Sequence, residues 1–132
     1  MDYNNTLLLV EDDDVDAMII KRAIKDLKLD CKIQRAENGL AALEILKNTA
    51  NGISLIILDL NMPLMDGFEF LEKIKEREEF INIPVVVFST SNYTGDRQLC
   101  LELGAKEYFV KPVGFDEYKE MLKVMTTYTC NS

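Results

Sequence analysis

The sequence predicts a doubly wound α/β domain of five strands, each followed by a helix, and two observations carry that prediction. Short apolar runs alternate with stretches of helical spacing along the whole 132-residue chain, and most of the runs are continuous rather than alternating. A continuous apolar strand suits a parallel sheet covered by helices on both faces. Strand-then-helix repetition makes the crossovers right-handed and places ligands beyond the carboxyl ends of the strands.

Thr6–Val10 is the first strand, and the helix after it carries Ile20, Ala23, Ile24 and Leu27 on one face. From Cys31 to Ala36 the pattern alternates, with Cys31 and Ile33 against Lys32 and Gln34, as in a less buried edge strand. Asn38 is a suitable N-cap for a helix with the stripe Ala42, Leu43 and Leu46. Ile53–Leu58 is the third strand, and a helix after Asp66-Gly67 buries Phe70, Leu71 and Ile74. Ile83–Phe88 is the fourth strand, followed by a helix from Asp96 to Leu103 that closes at Gly104, a good C′ residue. Tyr108–Val110 is the fifth strand, and the last helix, after Asp116, aligns Tyr118, Met121, Leu122 and Met125. Met62, Met65, Met121 and Met125 read as core and loop fillers.

Composition narrows the function. A chain of 132 residues forms one domain and hides roughly two-thirds of its unfolded surface, so no disulfide or structural metal is needed. Lys and Arg number 15 against 23 Asp and Glu, and the net charge of −8 excludes a nucleic-acid footprint or an acidic-membrane patch while favouring cations and basic partners. No apolar run reaches the ~18 residues of a spanning helix, and Met1-Asp2-Tyr3-Asn4-Asn5 is no secretory signal, so a cytoplasmic location is expected. Cys31, Cys100 and Cys130 are widely and irregularly spaced and read as reduced thiols. There is no histidine, which removes the commonest general base and metal nitrogen ligand and leaves carboxylates, hydroxyls and lysine for chemistry.

Those groups occur where the strands end. Glu11-Asp12-Asp13-Asp14-Val15-Asp16 follows the first strand, Asp59 the third, Ser89-Thr90-Ser91 the fourth and Lys111-Pro112 the fifth. Carboxylates gathered on one rim repel each other unless a cation lies among them, and an all-oxygen donor set selects Mg²⁺. A lysine and a hydroxyl facing the same ion would bind the free oxygens of a phosphoryl group. The constellation describes phosphoryl transfer. Asp13, Asp14 and Asp16 have a plainer reading, as a cap and favourable first-turn charge of a helix. An EF-hand reading of Asp12-x-Asp14-x-Asp16 fails, because Ala17 and Ala23 stand at its sixth and twelfth positions.

On these residues the sequence resembles the receiver domains of bacterial two-component response regulators. The carriers are Val10-Glu11-Asp12-Asp13, Asn38-Gly39, Leu58-Asp59-Leu60-Asn61-Met62-Pro63-Leu64-Met65-Asp66-Gly67, Ser89, Gly104-Ala105 and Tyr108-Phe109-Val110-Lys111-Pro112, in order over nearly the whole chain. The resemblance implies a flavodoxin-like (βα)5 fold of sheet order 2-1-3-4-5, with one receiver domain over 1–132, its core at about 5–127, and no output domain. It implies that Asp59 accepts a phosphoryl group from the phospho-His of a histidine kinase or phosphotransfer protein. Asp12 would ligate Mg²⁺ directly, Glu11 mainly through water, and Asn61 by its backbone carbonyl. Lys111 and Ser89 would hold the phosphoryl oxygens, and Ser89 and Tyr108 would form the switch that reshapes the partner-binding surface around the fourth helix, fifth strand and fifth helix. A cis Lys111-Pro112 bond is also implied. The chain would catalyse only its own phosphorylation and dephosphorylation, would act on an unnamed downstream protein, and a homodimer stays open.

Two departures from the family's pattern concern rates. Thr90 replaces the small residue common after the switch hydroxyl and would narrow access, and Asn61 and Ser91 occupy positions where hydrolysis is tuned. Three alternatives remain: a Mg²⁺-dependent aspartyl-phosphate phosphatase of haloacid-dehalogenase type, a flavin or nucleotide carrier, and a protein-binding module with a dormant site. The first expects its nucleophile after the first strand, and the second expects a Gly-rich loop where acids stand. The segments Ser89-Thr90-Ser91 and Lys111-Pro112-Val113 look like those of receivers paired with phytochrome-type or hybrid kinases.

Overall fold

The structure is a computed structural model, described here for residues 6–49 and 52–128. Strands and helices alternate as β1 (Thr6–Val10), α1 (Asp14–Asp26), β2 (Lys32–Ala36), α2 (Gly39–Thr49), β3 (Ile53–Leu58), α3 (Gly67–Lys75), β4 (Val85–Ser89), α4 (Thr94–Glu102), β5 (Glu107–Val110) and α5 (Phe115–Met125), with a 3-10 turn at Thr126–Tyr128. Every strand pair is parallel and the sheet order is β2-β1-β3-β4-β5, as expected. No helix among the described residues is long and apolar enough to cross a membrane.

The continuous apolar runs arise because successive residues serve two cores. Leu7, Leu9, Leu55, Ile57, Val86 and Phe88 pack under α1 and α5, against Ile20, Ala23, Ile24, Tyr118, Leu122 and Met125. Leu8, Val10, Ile56, Leu58, Val85 and Val87 point the other way, against Ala42 and Leu46 of α2, Phe70, Leu71 and Ile74 of α3, and Cys100 of α4. At about 1.5–3 kcal/mol for each large side chain removed from water, these two layers drive the fold. Phe88 and Tyr118 meet edge to face with centroids 5.5 Å apart. On the edge strand β2 the burial alternates and only Ala36 is fully buried, which matches its sequence pattern.

Several boundaries move. β4 begins at Val85, because Pro84 has no N–H and Ile83 is held in a turn by its N–H donating to the Phe80 carbonyl at 3.0 Å; the strand gains Ser89 at its other end. α4 starts at Thr94 rather than Asp96. α5 starts at Phe115 rather than after Asp116, since the Gly114 N–H donates to the Glu117 carboxylate at 3.3 Å and so caps the helix earlier. Asn38 caps α2 as expected, accepting from the Ala41 N–H at 2.8 Å, and Gly104 adopts φ +107 behind α4. The implied cis Lys111-Pro112 bond is corrected: no peptide bond among the described residues is cis, the trans form being the intrinsically preferred one. Cys130 and the chain ends lie outside the described residues.

Candidate functional site

Strand register assembles the site. Val10 is level with both Ala36 and Leu58, and the ladder continues one residue further, with the Glu11 N–H donating to the Ala36 carbonyl at 3.0 Å and the Asp59 N–H to the Val10 carbonyl at 2.9 Å. Glu11 and Asp59 therefore leave the sheet side by side on backbone that cannot slide. Lys111 is fixed in the same way, its N–H donating to the Ser89 carbonyl at 2.7 Å. Gly67 lets the β3–α3 loop close: a Cβ there would meet the Asp59 carbonyl oxygen at 2.7 Å and the Leu60 Cα at 2.8 Å.

Glu11, Asp12 and Asp59 each bring a carboxylate oxygen within 4.8 Å of the others. Glu11 and Asp59 are almost fully buried, Asp12 is exposed, and the cluster opens into a cavity of about 520 Å³ lined also by Asp16, Asn61, Thr90 and Lys111. The Lys111 ammonium reaches into the cluster, 2.7 Å from Glu11 Oε1, 2.7 Å from Asp16 Oδ2 and 3.8 Å from Asp59 Oδ1. The other Glu11 oxygen accepts from the Asp13 N–H at 3.2 Å. Three carboxylates thus lie within 4 Å of one ammonium.

Crowding and burial shift their protonation. Desolvation, aided by the charge of Asp59, pushes Glu11 up to about 7 despite its bond to Lys111. Desolvation also raises Asp59, against the pull of Lys111 and the Leu60 N–H. For Lys111 burial works against the charge, but the bonds to Asp16 and Glu11 and the field of Asp59 outweigh it and lift the pKa above its ordinary value. An acidic rim whose two buried members, Glu11 and Asp59, are pushed toward their protonated forms, and whose donors are all oxygen, fits a hard divalent cation. Glu11, Asp12 and Asp59 could hold it with their carboxylates, and Asn61 lies on the same cavity.

The remaining predicted residues stand apart. Ser89 is fully buried, and its Oγ accepts from the Ser91 N–H at 3.1 Å. Tyr108 is packed inward, and its hydroxyl donates to the Ser91 carbonyl at 2.8 Å. The two meet on Ser91, whose own hydroxyl donates to Asp96 Oδ2 at 2.7 Å. Thr90, next to Ser89, faces the cavity. Asp13 caps α1, accepting from the N–H groups of Val15 and Asp16, as its plain reading held. Asp16 does more than that reading allowed, because its carboxylate is a direct partner of Lys111. Arg35 was missed as well: its Nε donates to the Glu11 carbonyl at 2.9 Å and its guanidinium pairs with Asp14 at 2.8 Å, fastening the first turn of α1 to the sheet. The one signal for Arg35 was its place on the edge strand opposite Leu9, two residues before the acids.

Known proteins agree with this architecture. "Probable methanogenesis regulatory protein FilR2" of Methanothrix harundinacea is 36% identical over 126 residues, covering 92% of this chain and 81% of its own. "Two-component response regulator ARR7" of Arabidopsis thaliana is 34% identical over 128 residues, covering 90% of this chain but 61% of its own. Among solved structures, the Mn²⁺-bound form of response regulator Rcp1 superposes with a TM-score of 0.82 at 31% identity, over 93% of this chain and 92% of that one. The phosphorylated cyanobacterial phytochrome response regulator RcpA gives a TM-score of 0.85 at 27% identity, over 98% and 99%. The family model of the response regulator receiver domain matches residues 7–123, and the chain belongs to that family.

Proposed function

We propose that this chain is a phosphoacceptor receiver in a two-component phosphorelay, and that Asp59 is the acceptor. The observation that carries the reading is the meeting of Glu11, Asp12 and Asp59 with the Lys111 ammonium at the carboxyl ends of three strands. A Mn²⁺-bound and a phosphorylated structure among the relatives support it. The donor would be the phospho-His of a histidine kinase or phosphotransfer protein: an Asp59 carboxylate oxygen attacks phosphorus, the P–N bond breaks, and its electron pair stays on the departing imidazole. Phosphoryl transfer passes through a loose transition state, so positioning and charge neutralisation do most of the work.

Glu11, Asp12 and Asp59, with the Asn61 backbone carbonyl, would hold Mg²⁺. When bound, the ion supplies positive charge to the equatorial phosphoryl oxygens. Lys111 pairs with another of those oxygens, and the Ser89 hydroxyl turns from the Ser91 N–H to a third. That turn loosens the loop to which the Tyr108 hydroxyl is tied, and so alters the face formed by α4, β5 and α5 for a downstream protein. The Asn61 amide, on the cavity, orients an attacking water and shortens the phosphorylated lifetime. The reading makes the chain a cytoplasmic signalling module that turns over no external substrate except its phosphodonor.

Incubation with acetyl phosphate tests it by intact mass. Mg²⁺ is expected to permit the addition of one phosphoryl group to the wild type, and neither chelated protein nor Asp59→Asn is expected to gain any. Equal labelling of Asp59→Asn would overturn the assignment.

A further inference from the structure

Lys111 has two carboxylate partners at the same 2.7 Å, Glu11 and Asp16, and these hold its ammonium 3.8 Å short of Asp59. The two partners differ in what else they do. Glu11 belongs to the oxygen cluster with Asp12 and Asp59, so a cation bound there draws on it, whereas Asp16 stands outside that cluster. Asp16 is also rigidly placed. It lies in the first turn of α1, where its N–H donates to Asp13 Oδ1 at 3.1 Å, and that turn is tied to β2 by the Arg35–Asp14 pair. Lysine by contrast sits on a flexible four-carbon stem and moves to whichever anion holds it more strongly.

A phosphoryl group on Asp59 places new anionic oxygens beside that ammonium. Asp16 then opposes the group twice, as a rival for the same N–H donors and as a like charge a short distance away. Local helix chemistry does not require this carboxylate, because the cap of α1 is Asp13 and Asp14 already supplies first-turn charge.

We propose that Asp16 is a positioning residue that competes with the phosphoryl group for Lys111, and thereby sets how firmly the phosphorylated site is gripped. The inference rests on Asp59 being the acceptor. It makes removal of the Asp16 charge a gain for the bound state rather than a loss.

The test is an NMR-monitored beryllofluoride titration at saturating Mg²⁺ on wild type, Asp16→Asn, Lys111→Ala and the double variant. Asp16→Asn is expected to tighten beryllofluoride binding roughly two- to fivefold, the scale of one partly exposed ion pair. Asp16→Ser, a good first-turn residue, is expected to give the same gain. In the Lys111→Ala background the Asp16 substitution is expected to change nothing. In metal-free wild type the Lys111 Nζ–Hζ resonance is expected to be protected from exchange by both partners, and Asp16→Asn to weaken that protection. Unchanged or weaker binding in Asp16→Asn, an equal gain without Lys111, or undiminished protection of the ammonium would each overturn the role of Asp16 while leaving Asp59 untouched. A wild type that binds no beryllofluoride would overturn the acceptor reading itself.

Discussion

Ser91 is the residue through which the two switch candidates communicate, since its N–H donates to Ser89 and its carbonyl accepts from Tyr108. Tyr108→Phe removes one partly buried hydrogen bond and leaves the ring in the core, so a cost of about 1 kcal/mol is expected, or roughly 4 °C in melting temperature. Amide exchange of Thr90–Tyr93 should quicken while the sheet amides stay as they are; unchanged loop exchange would mean the hydroxyl does not hold the loop. Most of the site could be read from sequence because Glu11, Asp12, Asp59 and Lys111 each end or follow an apolar run, where a parallel sheet gathers its chemistry. Asp16 could not. A first-turn acid has a sufficient local explanation, and its contact with Lys111 joins residues 95 positions apart.

At the scale of elements, the β3–α3 connection ties stability to the site. Asp66 and Glu69 form a capping box at the start of α3, and the Gly67 N–H donates to the Leu60 carbonyl at 2.9 Å, pulling the helix against the end of β3. Gly67→Ala would drive a Cβ to 2.7 Å from the Asp59 carbonyl oxygen. That backbone has to give way, so the variant is expected to lose about 1–3 kcal/mol by denaturant unfolding and to take up phosphate from acetyl phosphate several-fold more slowly. Wild-type stability together with wild-type uptake would show that the loop is slack. Element type and order were legible in the sequence because they follow from apolar period. The ends were less so: Pro84 shortens β4 from one side, and the Gly114–Glu117 cap starts α5 early, both being effects of single hydrogen bonds rather than of pattern.

For the molecule as a whole, the site is a charge defect in a fold already carrying −8, and its protonation feeds into global stability. In metal-free protein burial raises Glu11 to about 7, and Asp59 is raised as well. The native state therefore holds more protons than the unfolded chain between the ordinary glutamate value of 4.5 and about 7, and stability must fall as pH climbs through that window. A shift of that size at a buried group is worth on the order of 3 kcal/mol, or roughly 10 °C in a domain of this length. Lys111 acts with the same sign in a different window: its raised pKa contributes stability that is complete throughout this range and lost only in strong alkali. Calorimetry in chelator is expected to show a melting temperature that declines from pH 5.5 to 7.5, and Glu11→Gln, which cannot ionise, is expected to flatten the decline. Mg²⁺ needs the carboxylates ionised, so it should release protons on binding and stabilise the protein more at pH 8 than at pH 5.5. A metal-free melting temperature that rises over the same interval would mean that Glu11 and Asp59 are ionised together without a cation, and that the rim is better solvated than its burial indicates.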